Sequence, residues 1–487
     1  MKPARSLSLI ILAALLLTSC SSNTAKERLS SDTADTFLET DTYASESPNI
    51  PNDLRYDGTD FRILSTAGDY LGKNLNEFDI ENNADALSQA LYDRLLSVED
   101  RFGITFDIQY NASNEIAGLA RQSINAASDD YEMVWGVSNY VQSTVYEGLY
   151  MSVADLPYVD LDKPWWNRSY IESVSVNAGD PCILFGPINY NALERSVCTF
   201  FNIDMMKNVK GLSEQDIYDI VLDGDWTLDK LSELCKDVYN DENGNTLRDA
   251  EDTYGFIHVG YWQIDYMAYA AGLNFTERDE DGYPVLALNN ERSIALVEKL
   301  LAIFNDTESV FNSSNNDEHV TMFGQGQSLF LVNRFYICSW AHIREANVNY
   351  GIIPAPKLDS TVENYYSPVE RLVQWGMVPK TVIDPGMVSA VTEYMAYEGY
   401  KRVMPAYYET TLKFKYTRGD LDGASQMLDI ITENQYTDFM GANVLGGMEK
   451  IFTNVVRSGQ NIFSSTYASL EQTANSYIQN YISTLNE

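Results

Sequence analysis

From residue 60 onward the apolar positions alternate between two spacings. Asp60-Phe61-Arg62-Ile63-Leu64 has the two-residue period of a strand. Leu87, Leu91, Leu95 and Val98 then recur at helical spacing, which predicts a helix over 85–101 with Gly103 as its stop. Ile104-Thr105-Phe106-Asp107-Ile108 returns to the strand period. Ile116, Leu119, Ala120 and Ile124 predict a helix over 114–127, and 131–136 reads as a third strand. Strand-helix-strand-helix-strand order implies a parallel sheet with right-handed crossovers, whose ligands bind at the carboxyl ends of strands. The loop 136–140 lies at one such end.

The same pattern continues further on. Thr227 is placed to cap a helix over 228–238, with Leu228, Leu231, Leu234 and Val238 as its buried stripe. Trp226 reads as a structural staple ahead of that helix. A helix is predicted over 293–305, and 328–357 reads as strand, helix, strand. From about residue 385 the chain is mainly helical. Its last helix, over 464–485, carries Tyr467, Leu470, Ala474, Tyr477, Ile478 and Tyr481 on one side. No tandem repeat of fixed period is found.

The N-terminus departs from this pattern. Lys2 and Arg5 precede a short apolar run, and Leu17-Thr18-Ser19-Cys20 follows with small residues before a cysteine. This is the pattern of a secretory leader, residues 1–19, ending in a lipobox, with Cys20 as the lipid-bearing residue. Residues 20–54, rich in Ser, Thr, Asp and Glu, read as a flexible tether. The expected location is the outer face of a bacterial cytoplasmic membrane, with the lipid as anchor.

Composition narrows the function. The 487 residues sum to a formal charge of -37, which argues against nucleic acid as a partner. Hydrophobic residues make up 45%, enough for a large core. The 33 tyrosines suit wet binding surfaces, since each offers a flat apolar face and a hydroxyl. Cys182, Cys198, Cys235 and Cys338 show no metal-like spacing; buried free thiols are expected, with disulfides left open. The acidic stretch 239–252 has a calcium-loop composition, but counting back from Gly244 puts Tyr239 at the first ligand position. An ordinary acidic turn is the expectation. With 3 histidines and no nucleophile or phosphate-loop motif, the residues point to no enzyme chemistry, cofactor or metal.

Several segments together resemble the family 1 extracellular solute-binding proteins, the lipoprotein receptors of ABC importers that include the maltose-binding protein. They are Tyr131-Glu132-Met133-Val134, Lys163-Pro164-Trp165-Trp166-Asn167, Thr199-Phe200-Phe201-Asn202, Gly224-Asp225-Trp226-Thr227, Asp252-Thr253-Tyr254-Gly255, and Tyr350-Gly351-Ile352-Ile353-Pro354. Tyr408, Leu412, Lys415 and Arg418-Gly419-Asp420 extend the likeness. The resemblance implies a two-lobe, periplasmic-binding-protein-like (type II) α/β fold with a helical C-terminal region. Lobe 1 would be 55–198 plus 375–400, lobe 2 would be 199–370, and the helices of 401–487 would pack across both. Crossovers are expected near 195–201 and 369–375.

It also implies a monomeric receptor that closes on a small solute and delivers it to ABC permease subunits. The acidic balance favours a neutral ligand, a mono- or oligosaccharide. A sensor-associated or surface binding protein and a secreted glycoside hydrolase are the alternatives. By this resemblance Trp262, with Tyr261, and Trp340 fall on the lobe 2 cleft wall. Arg371 and Trp375 fall at the second crossover, Asn139 and Tyr140 in the loop after the third strand, and Tyr190 and Asn191 ahead of the first crossover. Of the neighbours Trp165 and Trp166, at most one is expected to face the cleft, because adjacent side chains of an extended segment point opposite ways.

Overall fold

Burial follows the two spacings closely. In a computed structural model, residues 46–67, 77–78, 85–313, 315–408 and 421–486 are described. The expected leader, Cys20 and the tether up to residue 45 lie outside them, as do Leu412, Lys415, Arg418, Gly419 and Asp420.

The first sheet is built around β1 (Thr59–Thr66), whose Phe61, Ile63 and Leu64 are fully buried. It pairs in parallel with β2 (Ile104–Asn111) on one side and β3 (Met133–Val137) on the other. A fourth strand, Gln374–Met377, returns from far along the chain and runs antiparallel to β3, with Trp375 opposite Gly136. The connecting helices are α1 (Ala86–Phe102) and α2 (Ile116–Asn125). Local chemistry sets the ends of α1. The Asp85 carboxylate accepts the Ser88 amide at 2.8 Å, and Gly103 takes the left-handed conformation, φ 73°, that a side chain disfavours.

The second sheet contains β4 (Val197–Asn202), β5 (Tyr254–His258), β6 (Val310–Asn312), β7 (Ser328–Arg334) and β8 (Tyr350–Pro354), in the order β8-β4-β7-β5-β6. β5 is parallel to β6 and β7, whereas β4 is antiparallel to β7 and β8. The strand Gln374–Met377 is β9, so the first sheet reads β9-β3-β1-β2. Helix α3 (Ser138–Tyr146) follows β3. Helix α4 (Leu228–Cys235) starts at the Thr227 cap but ends before the expected residue 238, because Asp237 turns into left-handed backbone, φ 58°. Helix α5 (Trp262–Ala270) follows β5. Helix α6 (Glu291–Phe304) starts earlier than expected, capped by the Asn290 side chain. Trp226 is fully buried, and its indole N–H donates to the Pro354 carbonyl at 2.8 Å, pinning α4 to the end of β8.

Three segments lie side by side where the chain passes between the sheets. Ser196 bridges Val369, and the Glu370 amide donates to the Arg195 carbonyl at 3.0 Å. Ser367–Pro368 pairs with Gln435–Tyr436, and Thr437 Oγ1 bonds the backbone of Val369. In the last helix, α7 (Phe463–Leu485), Tyr467, Ala474 and Ile478 are buried. Tyr477 points to solvent, against expectation. Cys182, Cys198, Cys235 and Cys338 all carry free thiols. In the acidic stretch, Asp241 accepts the amides of Gly244 and Thr246, and the buried Asp252 carboxylate accepts the amides of Glu242 and Asp249. These bonds give the turn an internal structural use for its carboxylates.

Candidate functional site

The carboxyl ends of β3, β5 and β7 meet around the crossovers. β3 runs directly into α3. The Ser138 amide donates to the Val373 carbonyl at 2.8 Å, and the Asn139 amide to the Arg371 carbonyl at 3.1 Å. Ser138 Oγ also donates to the Arg371 carbonyl, at 2.7 Å. The exposed Asn139 and half-buried Tyr140 are thereby tied to the half-buried Arg371.

In the second lobe, β5 ends at His258, and Gly260 makes the turn in left-handed backbone, φ 68°. Tyr261, 43% exposed, and the half-buried Trp262 open α5. Because β5 and β7 are parallel neighbours, Arg334 at the end of β7 lies on the same edge. Its guanidinium carbon sits 3.9 Å from the centre of the Trp262 ring. The 3-10 turn Phe335–Ser339 brings Tyr336 back, with its ring 4.9 Å from the same guanidinium and its hydroxyl accepting an Arg334 N–H. Trp340 meets Tyr336 edge-on at 5.3 Å. Trp262, Arg334, Tyr336 and Trp340 thus form one continuous wall.

That wall is bound to the crossovers by charge. Glu370 accepts from Arg195 through Oε2 at 2.9 Å, and its Oε1 lies 3.2 Å from Arg334. Burial works against the Arg334 charge, but Glu370 and Tyr336 outweigh it, so its pKa is raised. One turn along from Tyr261, Asp265 accepts the Thr453 amide at 3.0 Å. Burial pushes the Asp265 carboxyl up to about 7, against opposing pulls from Thr453 and from the Arg371 charge.

The structure thus brings Tyr261, Trp262, Trp340, Arg371, Asn139 and Tyr140 to this junction. Trp375, Tyr190 and Asn191 are buried rather than presented on an open face. Trp375 is buried, and its indole N–H donates to Tyr170 Oη at 3.2 Å. Tyr190 is buried with its ring 6.2 Å from Tyr407, and the buried Asn191 takes up Glu77 and Asn189 with its backbone amide. Trp165 and Trp166 do not point opposite ways. They sit in a turn rather than an extended segment, and both indoles donate to Glu393, at 2.9 and 2.7 Å. Arg334 and Tyr336 went unnoticed in the sequence, and Arg195 and Glu370 were placed in the expected crossovers 195–201 and 369–375 but not among the site residues. The one local signal was a charged residue closing the apolar run Ser328-Leu329-Phe330-Leu331-Val332. A separate polar groove of about 850 Å³, lined by Asn202, Asp204, Thr253, Gly326 and His342 among others, lies at the opposite ends of these strands.

No family model matches the sequence, and no curated protein matches it. Among solved structures, a cyclo/maltodextrin-binding protein complexed with maltotetraose is similar, with a TM-score of 0.54 at 13% identity over 91% of this chain and 98% of that one. A maltose/maltodextrin-binding MalE domain from Bdellovibrio bacteriovorus, bound to maltotriose, scores 0.48 at 15% identity over 88% and 99% of the chains. An ABC transporter solute-binding protein from Agrobacterium radiobacter, in complex with ribitol, scores 0.48 at 14% identity over 87% and 99%. The first of these likenesses establishes the fold: two α/β lobes of the periplasmic-binding-protein type.

Proposed function

We propose that this chain is a solute-binding receptor of an ABC importer, anchored through Cys20 on the outer face of the cytoplasmic membrane. It captures a neutral mono- or oligosaccharide between its lobes, acts as a monomer, and passes its guest to permease subunits without breaking bonds in it. The wall Trp262–Arg334–Tyr336–Trp340, at the carboxyl edge of the second sheet and beside the crossovers, is the observation that carries this reading. Sugar rings present C–H faces that aromatic rings cover and hydroxyls that amides and guanidinium groups bond. Trp262, Tyr261 and Trp340 supply the first. Asn139, Tyr140 and Arg371 supply the second from the crossover side. The formal charge of -37 disfavours an anionic guest at long range. Contacts to both sides of the junction exist only when the lobes are shut, so binding shifts the population toward closure.

The test is a thermal-shift panel of neutral sugars and polyols that includes maltotriose, maltotetraose and ribitol. A sugar at 100 times its dissociation constant is expected to stabilise the protein by about 2.7 kcal/mol. Trp262→Ala and Trp340→Ala are each expected to weaken that sugar about tenfold or more. A panel without a hit would overturn the carbohydrate reading. A hit whose affinity neither substitution changes would overturn the wall.

A further inference from the structure

Arg334 is held in an unusual way for a cation so deeply buried. Its side chain is 5% exposed and that of Arg195 is 2% exposed, yet the two guanidiniums share a single carboxylate, Glu370, itself 11% exposed. Arg334 spends one terminal nitrogen on Glu370 and the other on Tyr336, and its Nε has no hydrogen-bond partner among the described residues. Satisfying its donors therefore does not by itself account for where the guanidinium lies. Two aromatic faces add to this, Tyr336 at 4.9 Å and, closer, Trp262 at 3.9 Å, where a desolvated cation and an indole attract one another strongly. Glu370 sits in the return crossover, its amide bonded to the Arg195 carbonyl of the outgoing one. Any rotation of the crossovers that moves Glu370 pulls on Arg334, and through it on the ring lying against Arg334.

We infer that Glu370 is a positioning residue: acting through Arg334, it sets the plane of the Trp262 indole from the crossover between the lobes. The inference rests on reading Trp262 as part of a ligand wall, and it makes the pose of that wall depend on the hinge. Arg334 lies against one face of the indole, and the rings of Tyr261, Tyr266 and His319 stand around it at 6.5, 6.0 and 6.4 Å.

The test needs no ligand. The full chain is labelled with 5-fluorotryptophan, and fluorine spectra are recorded for the parent, Glu370→Gln and Arg334→Met. Trp262→Phe identifies the resonance of interest among the 7 tryptophans. Arg334→Met leaves Arg195 and Glu370 as a one-to-one pair, so it is expected to fold and carries the test alone where Glu370→Gln does not. The expected result is that both variants shift and broaden the Trp262 resonance, while Trp135, Trp165, Trp166 and Trp226 stay in place. An unmoved Trp262 resonance in Arg334→Met overturns the inference. So does a shift in Arg334→Met with none in a folded Glu370→Gln, and so does a change at every tryptophan, which marks a general loss of packing. A failed sugar panel leaves this result standing, and an unmoved resonance leaves a positive panel standing.

Discussion

His258 offers the most direct check on how the second lobe is packed. It ends β5, is 2% exposed, and lies against Phe304 at 4.7 Å and Phe256 at 5.8 Å. Neither ring nitrogen makes a well-formed hydrogen bond among the described residues. Burial first, and the neighbouring His319 second, lower its pKa from 6.5 to about 3, with only a weak opposing pull from the Phe304 backbone. The folded state therefore holds the neutral ring, whereas the unfolded chain takes up a proton below about pH 6.5. This contribution to stability is intact above that pH and is lost as the pH falls toward 3. Each pH unit is worth about 1.4 kcal/mol, so moving from about pH 7.5 to about pH 5 should cost about 2 kcal/mol through this residue alone. His258→Leu removes the titration and keeps an apolar group of similar size between the phenylalanines. Urea unfolding followed by tryptophan fluorescence, at both pH values and for both proteins, isolates the term, since the carboxylates common to the two cancel. The variant should retain about 2 kcal/mol more than the parent at the lower pH. Equal losses in the two proteins would refute the assignment of a buried, neutral His258.

Glu393→Ala should destabilise the first lobe, because it strips the acceptors from two buried indole N–H groups, Trp165 and Trp166. At about 1–3 kcal/mol for each orphaned donor the loss is about 2–6 kcal/mol by urea denaturation, and an unchanged midpoint would contradict the geometry. Burial, opposed by these same indoles, pushes the Glu393 carboxyl up to about 7. Its contribution is therefore fully present below about pH 4.5 and is lost as the pH rises through about 7. Gly255→Ala should also be costly. A Cβ at this position would lie 2.5 Å from the Cys235 carbonyl oxygen and push α4 off β5, at about 1–3 kcal/mol by the same assay.

What could be read from the sequence was what neighbouring residues decide. Asp85 and Gly103 bound α1, and Thr227 starts α4, because a cap is a contact within one turn of chain. The same rule was available at Asn290, whose side chain accepts the Ser293 amide, and reading Ser293 as the start of the helix passed over it. Side-chain direction was less legible. Trp375 lies in the strand beside the return crossover, but strand pairing turns its indole toward Tyr170. Trp165 and Trp166 converge because the backbone turns there. The charge cluster was illegible for a different reason. Arg334 comes beside the outgoing crossover through the pairing of β4 with β7, which sets Val197 opposite Arg334, and Glu370 joins through the bridge from Ser196 to Val369. No local spacing encodes a meeting of residues 195, 334 and 370.

On the function proposed above, the energetics of the wall require both lobes. Tyr261, 43% exposed, stands beside the wall and is more open than its aromatics. An aromatic side chain buries roughly 150–250 Å², so covering the exposed part of Tyr261 removes on the order of 100 Å² from water. At about 25 cal/mol per Å² that is worth about 2.5 kcal/mol. Trp262 and Trp340, already half-buried, offer no more than similar amounts each. Association costs at least about 4 kcal/mol in lost translational and rotational freedom, and more once a flexible sugar is ordered. Stacking on the second lobe alone therefore leaves little net affinity. The balance has to come from hydrogen bonds on the other side of the junction, where Asn139 and Arg371 are held together through the backbone. A buried cluster with more cations than carboxylates is a poor source of stability, and well-packed apolar side chains would serve that end as well. Arg334 lies between Glu370 and Trp262, and on the inference drawn above this makes the pose of the wall and the angle between the lobes a single variable. The two weak halves of the site are then aligned at the same moment.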